Sequence, residues 1–184
     1  MVLFRSNMTA CFPKAQIIAD KFHVGRLVHW VLENVRKEVQ KLFHDYRWKY
    51  FKKNHWILLK RNQNLTHDGQ LQLENMLSVS DELRLAYDIK ERFFQLLKIK
   101  DTDRFIAKFR EWEQFVMAAN IEASNRCFNT VSKWYHPIIH ACVTGYSNGY
   151  VEGCNNKTKV LKRVYFGVRN FERFRNCLLY MANS

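Results

Sequence analysis

The feature that most constrains the fold of this chain is a stripe of apolar residues that recurs at three- and four-residue steps. The stripe consists of Val24, Val28, Val31, Val35, Val39 and Leu42. Charged residues such as Arg26, Glu33 and Lys37 lie elsewhere on the helical wheel. The spacing predicts an amphipathic helix of about five or six turns that buries its valine face against a core.

Two short apolar runs flank this helix and predict strands. The run Gln16–Asp20 follows Pro13 and ends in an acid, which is the pattern of a buried strand. The segment His55–Lys60 has a Trp-Ile-Leu-Leu core and predicts a second strand. Strand, helix and strand in this order indicate an α/β unit, so the predicted fold class is α/β and mostly helical.

Helical signals dominate the middle of the chain. Ser78 with Asp81 three positions later is a capping-box pattern that opens a helix. Thr102 opens another helix, in which five apolar residues share one face: Phe105, Phe109, Trp112, Phe115 and Val116. Such aromatic stripes more often form a core than a binding surface. Residues 65–136 are therefore predicted to be an all-helical insertion of about two to four helices.

The last part of the chain opens with a turn cluster at residues 145–149, in which Ser147 and Asn148 are suitable N-caps. A helix is predicted over Val151–Arg163, and a final helix from about Asn170 to Met181. On the first of these helices Glu152 shares a face with Asn155, Asn156, Lys159 and Arg163. This face suits a hard metal ion and a phosphate backbone. The alternative is a solvated face with an incidental glutamate.

Basic residues are concentrated at the two ends of the chain. Residues 1–64 hold 13 Lys/Arg and 4 Asp/Glu, residues 65–125 hold 8 and 11, and residues 126–184 hold 9 and 2. A net charge of +13 is typical of proteins with a polyanionic partner, most often nucleic acid, with a membrane surface as the rival. No apolar run approaches the about 18 residues of a membrane span, and Met1–Asn7 lacks a secretory signal pattern. We therefore predict no membrane partner and a cytoplasmic location.

The cysteines indicate core thiols rather than disulfides. They are odd in number and contain no Cys-x-x-Cys pair: Cys11, Cys127, Cys142, Cys154 and Cys177. A zinc set of His136, His140, Cys142 and Cys154 is a weaker hypothesis. Pro137 lies between the two histidines and no second close pair of ligands follows.

Asp20 is the first candidate for chemistry. It follows a predicted strand, the position where α/β proteins present ligands to metals and substrates. The alternative is an aspartate that caps the helix after it. His23 is either a proton shuttle or phosphate contact beside Asp20, or a histidine that orients the turn by hydrogen bonding.

Two long sequence motifs show a resemblance to a known family that single residues do not show. Residues 17–24 read I-I-A-D-K-F-H-V, and residues 147–159 read S-N-G-Y-V-E-G-C-N-N-K-T-K. They resemble the D-[KR]-F-H-V and S-N-G-x-x-E-G-x-N-x-x-x-K signatures of the DDE transposases of the ISL-three type. The segments 161–163, 166–167 and 169–171 are similar to the family ending K-R-x-x-x-G-[FY]-R-N-F. The resemblance extends from about Phe12 to Tyr180.

The resemblance implies an RNase H-like catalytic domain that binds two divalent ions, Mg²⁺ or Mn²⁺, through two acids on strands and a Glu on a helix. Asp20 matches the second Asp and Glu152 the Glu, as catalytic and metal-binding residues, with His23 as an auxiliary residue. The implied DNA-binding residues are Asn155, Asn156, Lys157, Lys159, Lys162, Arg163 and Arg169. The implied partner is double-stranded DNA, at transposon ends and at the target, in the nucleoid of a bacterium.

The chain departs from the family pattern before Asp20. The pattern has an earlier Asp on the first strand, whereas residues 1–19 contain no Asp or Glu. We therefore expect a partial RNase H-like fold that lacks its first strands, built from residues 1–64 and 137–184 around the insertion. With one ligand missing, metal should bind weakly, and the chain should be a truncated, inactive transposase fragment that needs a homo-oligomer or the upstream half. The alternatives are a non-catalytic basic DNA-binding remnant and a helical interaction protein.

Overall fold

The computed structural model describes residues 16–165 and 170–183. The chain divides into two compact units, Met1–Tyr146 and Ser147–Ser184. Helices of the first unit are α1 Lys21–Lys41, α2 Asp45–Leu59, α3 His67–Leu77, α4 Asp81–Leu96, α5 Thr102–Ala119, α6 Glu122–Lys133 and α7 Tyr135–Thr144, with a short 3-10 helix at Asn62–Asn64. The second unit contains α8 Gly149–Val164 and α9 Phe171–Asn183. No helix in these described ranges is long and apolar enough to cross a membrane.

The two predicted strands are wrong, and the described residues support a mostly helical class rather than α/β. Residues 16–20 have no regular secondary structure and pair with no strand, and Ala19 N–H donates to the carbonyl of Pro137 in α7 (2.9 Å). The Trp-Ile-Leu-Leu run ends α2, because Phe51, Ile57 and Leu58 repeat at helical spacing and are buried together. A short apolar run suits a buried strand or a buried helix end equally well, and tertiary packing decides between them. The partial RNase H-like fold is not confirmed.

The valine stripe is confirmed as the centre of the first unit. The five valines from Val24 to Val39 are buried along α1, which packs against α4, α2 and α6. Leu42 caps the end of the helix and is exposed, so it does not extend the stripe. The predicted helix therefore exists, and it forms the axis about which the neighbouring helices pack.

The middle of the chain is all-helical, as predicted, and forms four helices, α3 to α6. The first of the predicted helix starts is two residues too early: Ser78 ends α3, and Ser80 is the N-cap of α4, where its hydroxyl accepts from Leu83 N–H (3.3 Å). The aromatic stripe of α5 is core, since Trp112 is buried and donates its indole N–H to the carbonyl of Ile89 (3.1 Å). These helices share one core with α1 and α2. The domain boundaries at 64/65 and 136/137 remain predictions.

A buried lysine fixes the C-terminal end of α2. Lys90 of α4 donates to the carbonyls of Leu58 (2.9 Å) and Lys60 (2.7 Å) and pairs with Glu91 (2.8 Å). Its ammonium group therefore satisfies carbonyls that the end of a helix leaves without partners. Burial lowers the pKa of Lys90 to about 8. The ion pair with Glu91 opposes this shift, because it favours the charged ammonium group. Sequence periodicity places Lys90 on α4 but gives no sign of this contact.

The predicted turn cluster separates α7 from the second unit. Gly145 ends α7 with a φ of 73°, a left-handed conformation that favours glycine. Asn148 is the N-cap residue of α8, and Ser147 Oγ accepts from Gly149 N–H (3.4 Å). The two helices predicted for this part of the chain, α8 and α9, are both confirmed.

Candidate metal centre and nucleic-acid interface

Asp20 caps α1 and binds His23. Its Oδ1 accepts from Phe22 N–H (3.0 Å), and its Oδ2 accepts from His23 Nδ1 (2.7 Å). Asp20 is largely covered, with 20% of its side chain exposed, whereas His23 is 59% exposed. Both structural alternatives from the sequence are therefore observed: Asp20 acts as an N-cap, and His23 holds the turn by a hydrogen bond.

The capping bonds leave part of the hydrogen-bonding capacity of the Asp20 carboxylate unused. An ionised carboxylate offers about four acceptor sites, and the bonds to Phe22 and His23 use two of them. The chain before Asp20 is held in place by the backbone bond from Ala19 to Pro137. The acid therefore occupies a fixed position at the N-terminus of α1, where the helix dipole stabilises its negative charge.

An apolar groove of about 590 Å³ begins beside this aspartate. The residues that line it include Ala19, His23, Val24, Trp30 and Val131. Trp30 is exposed although it lies on the central helix. Local sequence patterns did not predict this groove, because it forms only where α1 meets α6 and the turn that follows α6.

Glu152 lies in the first turn of α8, in the second unit. The other members of its helical face are Asn155, Asn156, Lys159 and Arg163, all of them exposed like Glu152. Lys157 and Lys162 are exposed on the same helix, and Arg169 lies outside the described residues. An exposed acid at a helix N-terminus followed by cations toward its C-terminus is favourable for the helix dipole, so the helix needs no partner to explain these charges.

The donor chemistry of these residues fits a hard divalent cation, since carboxylate and amide oxygens are the ligands of Mg²⁺ and Mn²⁺. Asp20 belongs to the first unit and Glu152 to the second. Within residues 16–165 and 170–183, no three His, Cys, Asp or Glu side chains lie close enough to hold a metal ion. The described residues thus offer suitable ligand types without a complete ligand set in one place.

The cysteine predictions divide between the two units. Cys127 and Cys142 are buried, and burial raises the pKa of both thiols, to about 12 for Cys127. Cys142 donates to the carbonyl of Leu97 (3.6 Å), so it is a protonated core thiol as predicted. Cys154 is exposed and Cys177 half-buried, which the prediction of core thiols did not anticipate. Cys11 lies outside the described residues.

A basic and aromatic face on α2 was missed. No structure was predicted for Trp48–Lys53, and Trp56 and Lys60 contributed only to a strand prediction. The structure places the tryptophans and lysines of both segments on the solvent side of one helix. The signal was present, because lysines and aromatics alternate there without an acid. This face could be recognised only once the structure showed that the segment is helical.

Comparison with known proteins defines the class of this helical, basic chain. A family model described as Transposase matches residues 2–178, so the class is that of the transposases. The matched model is the one for DDE transposases of the ISL-three type, and the chain belongs to this family.

Two curated relatives place the chain against longer proteins. It is 26% identical to the transposase for insertion sequence element IS1001 of Bordetella parapertussis over 174 residues, 93% of this chain and 43% of that protein. It is 30% identical to an ATP-dependent protease of Lactococcus lactis subsp. lactis over 117 residues, 61% of this chain and 35% of that protein. The chain thus spans less than half the length of these relatives. The activity in the second name belongs to that protein and is not carried over. No solved structure matches the chain.

Proposed function

We propose that the chain is part of a metal-dependent DNA transposase that cuts DNA at insertion-sequence ends and joins the cut strand to a target. The observation that carries this proposal is the exposed face of α8, where Glu152 lies with two amides and two cations. All of these residues except Arg163 belong to the segment 147–159, which resembles the family signature, and the whole face lies within the residues that the family model matches. A carboxylate for a metal and cations for phosphates are the two needs of phosphodiester chemistry.

Asp20 and Glu152 would hold the divalent ions, Mg²⁺ or Mn²⁺. When bound, two such ions supply activation of the attacking oxygen and stabilisation of the leaving oxygen. The residues of this chain orient the reaction. Asp20 is held by its cap, and His23 fixes one of its oxygens through the 2.7 Å bond. The exposed cations of α8 would bind the phosphates of double-stranded DNA without reading its sequence.

These 184 residues supply two of the three carboxylates of the family pattern, so we infer that they do not cleave DNA alone. A third carboxylate would come from the preceding half of a transposase or from a second chain. The same inference makes residues 1–64 and 137–184 part of an RNase H-like domain, with residues 65–136 as its helical insertion.

Cleavage of a labelled duplex that carries an insertion-sequence end tests the proposal. The purified chain with Mg²⁺ should leave the duplex intact. Addition of a polypeptide that carries the preceding half of a transposase of this family should produce nicks at the end sequence, and Glu152→Gln should abolish them. Glu172→Gln is the matched control, because Glu172 is also an exposed acid in the first turn of its helix.

Three results would count against the proposal. Nicking by the purified chain alone would contradict its incompleteness. Nicking that survives Glu152→Gln would remove this residue from the site. Salt-dependent duplex binding without cleavage in any combination would favour the second candidate, a non-catalytic DNA-binding remnant, which the +13 charge already permits.

A further inference from the structure

Helix α2 presents a face that the metal chemistry leaves unexplained. We define the lysine–aromatic face as Trp48, Lys49, Lys52, Lys53, Trp56 and Lys60, all of them exposed. From Tyr46 to Arg61 the sequence contains six Lys/Arg and no Asp or Glu. The opposite side of the helix carries Phe51 and Leu58 into the core. The face is therefore a surface of a helix whose packing is already satisfied on its other side.

The two tryptophans of this face are paired with lysines. Lys52 Nζ lies 4.8 Å from the ring centre of Trp48, and Lys60 Nζ lies 4.7 Å from that of Trp56. Trp48 is still 38% exposed and Trp56 43% exposed. In each pair the ammonium group lies over one side of the ring, an arrangement that is favourable by itself. Among the described residues, no carboxylate lies within ion-pair distance of Lys52 or Lys60.

We propose that the lysine–aromatic face binds an unpaired DNA strand. Lysines that track a phosphate backbone, combined with exposed rings on which bases stack, are the two components of single-strand binding surfaces. A duplex buries its base faces within its own stack, so it could use the lysines of this face but not its rings. That the strand is DNA rests on the proposed function, since the same chemistry would also accept RNA.

The position of the face within the first unit supports a role near the cut strand. Arg61, just beyond α2, lies over the ring of Phe94 (4.7 Å). The same ring lies so close to Gly25 that a Cβ there would approach it to 2.9 Å. Gly25 is five residues after Asp20, a rise of about 7 Å along α1. The C-terminal end of α2 therefore lies at the Asp20 end of α1.

The spacing of the rings also suits a strand rather than a single nucleotide. Trp48 and Trp56 are eight positions apart, which is a rise of about 12 Å along the helix. Lys49, Lys52 and Lys53 lie between them on the exposed side. A strand that stacks on one ring can therefore reach the other while its phosphates pass these lysines.

Fluorescence anisotropy of the full chain with labelled oligo(dT) and with a duplex of equal length tests the proposal, in EDTA so that no metal contributes. Trp48→Ala and Trp56→Ala should each weaken oligo(dT) binding about 5- to 100-fold and leave duplex binding within about twofold. Trp30→Ala, which changes an exposed tryptophan outside the face, should change neither. Trp56→Phe should retain most of the affinity, which separates lost stacking from lost folding.

Salt titration adds a second readout. Lys52→Gln and Lys53→Gln should each lower the slope of log affinity against log salt by about 0.7 for oligo(dT). Lys108→Gln, in the exposed pair with Glu111 of α5, should leave it unchanged. Oligo(dT) binding that is indifferent to both tryptophans would overturn the proposal, as would tighter binding of the duplex with the same dependence on them.

The two proposals fail separately. Glu152→Gln should leave oligo(dT) affinity unchanged, because Glu152 is not one of the residues that form the lysine–aromatic face. Loss of cleavage with intact oligo(dT) binding therefore tests only the metal site. Intact cleavage with no oligo(dT) binding would refute only the proposal that the lysine–aromatic face binds an unpaired strand.

Discussion

Replacement of Asp20 separates its structural role from its proposed catalytic role. Asp20→Ala removes the acceptor for Phe22 N–H and the partner of His23, whereas Asp20→Asn keeps an oxygen that can accept from Phe22. Asparagine and aspartate are equally good N-caps. The alanine variant should therefore lose metal binding together with the N-cap, and the asparagine variant should lose metal binding but keep the N-cap.

The magnitude for Asp20→Ala follows from three contributions. Loss of an N-cap costs about 1 kcal/mol, loss of an acid at a helix N-terminus about 0.3–1 kcal/mol, and loss of the bond to the exposed His23 about 0–1 kcal/mol. The free energy of unfolding should fall by about 1–3 kcal/mol, which lowers Tm by about 2–10 °C in a chain of this length. For Asp20→Asn the first contribution is absent, and the remaining two give a loss of about 0.3–2 kcal/mol, smaller than that of Asp20→Ala.

Thermal and urea unfolding followed by circular dichroism at pH 7.5 in EDTA measures these changes without metal. The control is Asp101, the N-cap of α5, whose Oδ1 accepts from Arg104 N–H (2.7 Å). Asp101→Ala should cost a similar amount of stability, and Asp101→Asn little, with no effect on cleavage in the reconstituted assay. An unchanged Tm for Asp20→Ala would refute the capping role. Full cleavage by Asp20→Asn would refute the role as a metal ligand.

Three further predictions concern the fold. Because the folded pKa of Lys90, about 8, lies below the 10.5 of a free lysine, burial of its charge costs stability below pH 8 and costs less as pH rises. The wild type should gain about 2 kcal/mol relative to Lys90→Met between pH 7 and 9.5 in urea unfolding, and parallel curves would contradict this. Phe109→Ala should lower the free energy of unfolding by about 3–5 kcal/mol, because Phe109 is 6% exposed within an aromatic cluster. The control Phe22→Ala, at a side chain that is 67% exposed, should lower it by less than about 0.5 kcal/mol in the same melts. Gly145→Ala should cost about 1 kcal/mol through its φ of 73° and Gly145→Asn less, and equal melting of both variants would show that the turn relaxes.

Part of the candidate site was predictable from sequence motifs, and part became evident only from the geometry. The sequence words around Asp20 and Glu152 indicated the transposase family, which the family model confirms. They did not indicate that Asp20 also caps α1, because a cap and a metal ligand need the same carboxylate at a similar position. The residues assigned to metal and to DNA remain predictions, which the cleavage and binding experiments address.

The sequence by itself determined the helices whose apolar residues repeat at 3.6-residue spacing, such as the valine stripe of α1 and the aromatic stripe of α5. It also determined the family, because long words are specific where single residues are not. Only the tertiary structure decided the state of the short apolar run at Trp56. Ile57 and Leu58 of that run are buried where α2 packs against α1 and α3, and Lys90 of α4 donates to the carbonyl of Leu58; among the described residues no strand lies beside it. A strand requires a partner from elsewhere in the chain, whereas a helix satisfies its backbone locally, and local sequence cannot report which of the two is available.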